Sequence, residues 1–148
     1  MNRIEITSEI DVSEGTIDKT EIFCKKLLDA LNTDGWEVSI LFCDDIYMRQ
    51  LNKQYRSIDA ATDVLSFPQG EQYHEGETYY AGDVIISLDS CRRQAEELGV
   101  SANQELKRLI VHGILHLKGM DHRTDTTYDE MIGLQEKLLG QLSEETLL

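Results

Sequence analysis

With 148 residues, 41% of them hydrophobic and 28% charged, and no apolar run near the roughly 20 residues that cross a bilayer, the chain has the make-up of one soluble domain spanning 1–148 and not of an integral membrane protein. Its 14 Lys and Arg against 28 Asp and Glu give a formal net charge of −14, which repels polyanions at long range and argues against tight non-specific binding to nucleic acid. Any nucleic-acid function must therefore rest on a few placed residues. Cys24, Cys43 and Cys91 are odd in number and widely spaced, which fits neither a disulfide framework nor a CxxC metal site, so they read as buried, reduced thiols. The opening MNRIEITSEIDV lacks the long apolar stretch of a signal peptide, and a cytosolic location without membrane contact is the expectation.

Along the chain, RIEIT (3–7) alternates like a short strand, and TIDKTEIFCKKLLDALN (16–32) spaces Ile17, Phe23, Leu27, Leu28 and Leu31 for one face of a helix. WEVSILFC (36–43) reads as a strand, and Asp44 and Asp45 are N-caps for a helix through DIYMRQLNKQYR. DVLSF (63–67) is strand-like and stopped by Pro68, the only proline. QGEQYHEGETYYAG then forms a polar loop leading into a strand DVIIS (83–87), so the two strands are expected as hairpin-like neighbours. In that loop His74, with Tyr73, Tyr79 and Tyr80, is expected to be exposed. A helix through SCRRQAEELG ends at Gly99, and SANQ (101–104) is a capping-box signature that opens the next helix. Gly119 suits the left-handed residue that ends that helix, and TTYDEMIGLQEKLLGQL (126–142) puts Met131, Leu134, Leu138 and Leu139 on one side of a last helix.

HGILHLKGMDH (112–122) holds three of the chain's four histidines. Four residues apart on a helix, His112 and His116 rise about 6 Å and turn only about 40°, so both imidazoles share a face and can share one ion. A back-bend at Gly119 can bring His122 to the same point, leaving the fourth tetrahedral position open, as in catalytic three-ligand zinc sites. A single histidine on an apolar helix is more often a hydrogen-bonded core residue. Three in this array, within an almost wholly apolar RLIVHGILHL, favour a metal and imply burial. The spacing is that of the metzincin pattern HExxHxxGxxH, yet Gly113 stands where that pattern has its catalytic glutamate, which disfavours proteolysis by that route. Asp121 is a candidate base, an orienting carboxylate or a helix-exit cap; the sequence does not choose.

LNKQYR (51–56), TDVLSFP (62–68), GDVIIS (82–87) and HGILHLKGMDH stand in the order of four blocks that recur in the YbeY family of bacterial metal-dependent endoribonucleases, which this sequence resembles. Ala61 replaces the proline usual before TDVLSFP, and Met120 a common tyrosine; neither is a proposed ligand. The resemblance implies an α+β domain similar to the zincin fold, a mixed sheet of about four strands packed with a central helix bearing the metal ligands. It also implies one Zn2+ per chain held by His112, His116 and His122, with Arg56 as the functional arginine. Further implications are cleavage of single-stranded RNA, maturation of the small-subunit ribosomal RNA 3′ end, ribosome quality control, and partners among small-subunit ribosomal proteins and an assembly GTPase. Taken alone, Arg56 reads as a cation favoured at a helix C-terminus, and Thr62 and Ser66 as residues making ordinary backbone contacts. A guanidinium fork nevertheless suits a phosphodiester, binding two phosphate oxygens as charge grows on them. A metalloprotease or amidohydrolase, and a non-catalytic ribosome-assembly factor with a structural metal, are the rival readings.

Overall fold

The computed structural model describes residues 1–69, 79–119 and 125–148, with the backbone alone over 125–128. Four strands, β1 (Arg3–Ser8), β2 (Trp36–Cys43), β3 (Val64–Pro68) and β4 (Tyr79–Ser87), form one sheet in the order β1-β2-β4-β3. β1 runs parallel to β2 and β2 to β4, whereas β3 pairs antiparallel with β4 at the edge, so the sheet is mixed. The helices are α1 (Glu14–Ala30), α2 (Asp45–Arg56), α3 (Leu88–Leu98), α4 (Ala102–Leu117) and α5 (Asp125–Gln141). This is the α+β architecture with a four-stranded mixed sheet that the family resemblance implies. Among the described residues no helix is long and apolar enough to cross a membrane.

Local chemistry sets most boundaries. Ser13 caps α1 by accepting from the Thr16 N–H, and Asp44 caps α2 by accepting from Tyr47 at 2.8 Å. Asp45 instead accepts from the hydroxyls of Ser87 (2.7 Å) and Ser90 (2.6 Å), which ties the start of α2 to the start of α3. Ser101 and Gln104 close both bonds of the capping box on α4, and Gly99 and Gly119 take positive φ values of 70° and 89° beyond α3 and α4.

β4 begins four residues before the expected DVIIS, at Tyr79, so Tyr79 and Tyr80 belong to a strand and not to the loop. The ladder to β2 shifts between Glu37 and Val38, which face Tyr80 and Gly82, so Ala81 is the extra residue of a bulge. Gly82 has φ 143°, and a Cβ there would lie 2.2 Å from the Phe67 carbonyl oxygen, so the glycine of GDVIIS is required by backbone approach. Pro68 is the last residue of β3, a position an edge strand tolerates. His74 and Tyr73 lie outside the described residues.

The larger core joins α1, α4 and α5 to the sheet face that carries Val38, Ile40, Phe42, Val84 and Ile86. A smaller cluster of Cys43, Met48, Leu65 and Ile85 fills the space under α2 on the opposite face. All three cysteines are buried and free, and burial pushes each thiol up to about 12, so they are inert at neutral pH.

Glu105, in the first turn of α4, is only 2% exposed, and its Oε2 has no hydrogen-bond partner among the described residues, the Arg108 Nε lying 4.0 Å away. Burial pushes its carboxyl up; Arg108 pulls against that and Asp63 adds to it. A carboxyl raised by folding favours the native state only below its unfolded pKa, and this contribution is lost as pH rises through the folded value. Glu105→Gln is therefore expected to raise the melting temperature by a few degrees at pH 7 and by nothing near pH 3, where glutamate is protonated in both states. Melting curves across that range check this.

Candidate metal and phosphate cleft

α4 presents His112 and His116 one turn apart on one face, and both are half-buried, not fully enclosed as the apolar helix had suggested. Their Nε2 atoms converge to 3.0 Å, with ring centroids 4.5 Å apart and planes at 63°. Two ligands on a tetrahedral zinc, each at about 2.0–2.1 Å, stand roughly 3.3 Å apart, so a small adjustment seats an ion between them. His112 Nδ1 lies 3.3 Å from Oε1 of the buried Gln135 on α5. An amide oxygen only accepts, so Nδ1 carries the proton and Nε2 presents its lone pair to the cleft, as a histidine ligand requires. The donor set fits a metal on these two residues. Among the described residues no group of three potential ligands comes together; the expected third, His122, and Asp121 lie outside them.

Gln135 is a site residue that the histidine spacing does not reveal. The available signal was a glutamine four residues from Met131 on the apolar stripe of α5, where a polar side chain needs a buried partner.

Gly113 has a structural reason. A Cβ at this position would stand 2.5 Å from Val84 Cγ1, 3.1 Å from Val84 Cγ2 and 3.4 Å from Ser66 Oγ, so α4 rests directly on β3 and β4. The Ser66 hydroxyl also reaches the Gly113 carbonyl at 3.4 Å. That approach sets the two histidines against the sheet edge, in a cleft of about 340 Å³ whose walls include Arg56, Thr62, Asp63, Val64 and Ser66.

Arg56, in the last turn of α2, therefore shares a cleft with both described histidines although it is more than fifty residues away in sequence. Its side chain is exposed and makes no hydrogen bond or ion pair among the described residues, unlike Arg49, which donates to Asp59 at 2.7 Å. Asp63 is the only carboxylate among the described lining residues. Its Oδ1 accepts from the Val64 N–H at 2.8 Å and from the Thr62 hydroxyl at 3.3 Å, which among the described residues leaves Oδ2 to accept from a hydroxyl or water in the cleft.

The edge backbone adds a donor. The Ser87 N–H donates to the Asp63 carbonyl and the Gln69 N–H to the Ala81 carbonyl, both at 3.0 Å, and the β3–β4 register runs without irregularity between them. Residues 63, 65, 67 and 69 thus bond inward, so the N–H and carbonyl of Ser66 point outward along the cleft. Of the tyrosines expected on the polar loop, Tyr79 packs on Trp36 with centroids 5.8 Å apart, and Tyr80 is 37% exposed.

Comparisons with known proteins converge on one family. The sequence model of the family described as Endoribonuclease YbeY matches residues 4–143. The protein named Endoribonuclease YbeY of Treponema denticola is 54% identical over 136 residues, covering 88% of each chain. Its namesake in Treponema pallidum is 40% identical over 144 residues, covering 95% of this chain and 90% of its own. A solution structure from Thermotoga maritima superimposes with a TM-score of 0.62 at 24% identity, over 95% of this chain and 91% of that one, which shows the shared fold.

Proposed function

The chain belongs to the YbeY endoribonuclease family, and from that premise we propose a zinc-dependent hydrolase that cuts single-stranded RNA during ribosomal RNA maturation. The observation that carries the reading is one cleft lined both by Arg56 and by His112 and His116, whose Nε2 atoms converge. His122 completes the proposed ligand set, as the sequence spacing suggests. His112, His116 and His122 would hold one divalent cation, which when bound would supply Lewis-acid charge at the phosphoryl group. The chain's own residues do the rest. Arg56 binds two phosphate oxygens and stabilises the charge that grows on them. The outward Ser66 N–H offers a further donor to the same group, and Asp63 Oδ2 can hold an attacking hydroxyl. Gln135 fixes the tautomer of His112. A mixed sheet whose edge strand borders a ligand-bearing helix supports the zincin-like reading of the fold.

The metallopeptidase reading loses ground because Gly113 cannot be exchanged for a glutamate without displacing Val84. Action on the small-subunit 3′ end, ribosome quality control, contacts with ribosomal proteins and an assembly GTPase, and work in the cytosol remain part of the proposal through the family resemblance. The full-length zinc-loaded protein should cut a single-stranded RNA and spare its duplex, and Arg56→Glu should lose about a hundredfold or more in kcat/KM. Cleavage of peptides with RNA left intact, or wild-type cleavage by Arg56→Glu, would overturn this assignment.

A further inference from the structure

A second cavity, of about 250 Å³, opens on the other face of the sheet edge and is lined by Tyr47, Leu51, Tyr55, Phe67, Gln69 and Asp83 among others. The two clefts are joined in two ways. Consecutive residues at the end of α2 open onto them, Arg56 onto the histidine cleft and Tyr55 onto this one. Strand β3 separates them, with Ser66 facing α4 and Phe67 facing α2, since neighbouring side chains on a strand point to opposite faces.

The cavity combines aromatic rings with one carboxylate. Tyr55 is 60% exposed and meets Phe67 edge to face with centroids 5.2 Å apart, so among the described residues ring surface is open to a flat ligand. Asp83 stands directly opposite Phe67 in the β3–β4 ladder, so a carboxylate lies beside the aromatic floor. The Tyr80 hydroxyl donates to Asp83 Oδ1 at 2.6 Å and holds that carboxylate, while among the described residues Oδ2 remains for a ligand. A carboxylate here repels phosphate but accepts from the ring N–H and amino group of guanine, two donors side by side, whereas adenine and cytosine present one and uracil a single ring N–H.

We propose that this cavity is a base subsite for the RNA chain cut in the histidine cleft, and that it selects guanine at a nucleotide next to the scissile phosphate. This rests on the nuclease reading. With the phosphate on Arg56, the strand crosses the edge at β3, and the neighbouring base enters the cavity on the far side. The base stacks on Tyr55 and Phe67, and the Asp83 carboxylate accepts from its Watson–Crick edge. Stacking supplies affinity for any base, and Asp83 supplies the choice.

Two readouts on the whole protein test this. The first, with zinc bound, is kcat/KM on four oligoribonucleotides differing in one nucleotide beside the cut. The second is equilibrium binding of the same four, with 2′-fluoro sugars, to chelator-treated protein, in which no cut is made. Guanine should be favoured about tenfold or more in both. Asp83→Asn should level the four, and Tyr55→Ala should raise KM for all while sparing the order of preference. Binding without base preference, or a guanine preference that survives Asp83→Asn, overturns the subsite; if cleavage persists, the nuclease reading stands. Guanine-selective binding without cleavage supports the subsite and overturns the nuclease reading instead. An arginine-rich peptide that occupies the cavity while all four oligonucleotides fail to bind would make it a protein-docking surface and overturn the proposal.

Discussion

Gly113→Glu, which writes the metallopeptidase glutamate back into the histidine array, should produce a destabilised protein and no peptidase. Even alanine should cost stability. Exchange of a helical glycine for alanine ordinarily gains up to about 1 kcal/mol, yet here the new methyl would stand 2.5 Å from Cγ1 of the fully buried Val84. Valine is stiff about χ1, so the strain passes to the α4–β4 contact, and overpacking of this kind costs about 1–3 kcal/mol. A glutamate adds a carboxylate with no partner at a buried position, for a loss of at least about 3 kcal/mol from a total of roughly 5–15. Urea denaturation measures both, and Val84→Ala should recover part of the loss in Gly113→Ala, because the two sites share the contact. A Gly113→Ala protein as stable as the wild type would refute the packing explanation.

His116→Ala should abolish stoichiometric zinc binding and lower RNA cleavage by roughly a thousandfold or more, since Lewis-acid charge at a phosphoryl centre is worth several kcal/mol. Gln135→Leu should act in the same direction but more gently, lowering zinc affinity about 10–100-fold by freeing the His112 tautomer. Both variants should stay folded, because α4 is held by Leu106, Ile110, Ile114 and Leu115, all fully buried. Circular dichroism before and after chelation separates the catalytic from the structural reading: a protein that unfolds when zinc is removed would favour the non-catalytic assembly factor.

Much of this site was legible in the sequence, because periodicity is local. The i, i+4 histidines, the capping box at Ser101 and the glycine at 119 are each set within a turn or two, and each stands where the spacing put it. The residues that spacing hid act across the fold. Gln135 reaches His112 from another helix, and the outward N–H of Ser66 follows from the parity of the β3–β4 ladder, which no run of residues displays. The early start of β4 at Tyr79 was masked by a polar composition that reads as loop until the bulge at Ala81 places the strand against β2. Gly113 was legible only as an absence. Its positive reason, contact with Val84, needs both elements in place. Arg56 is intermediate: its helix end was readable, and its neighbours in the cleft were not.

RNA cleavage is proposed to depend on an ion held by the histidine array. Activity on a defined single-stranded RNA should be measured as zinc is added to chelator-treated protein, with bound metal counted per chain. Cleavage should rise in proportion to bound zinc, stop rising at one equivalent, and stay flat for His116→Ala throughout. Full cleavage by metal-free protein, or by His116→Ala, would contradict it.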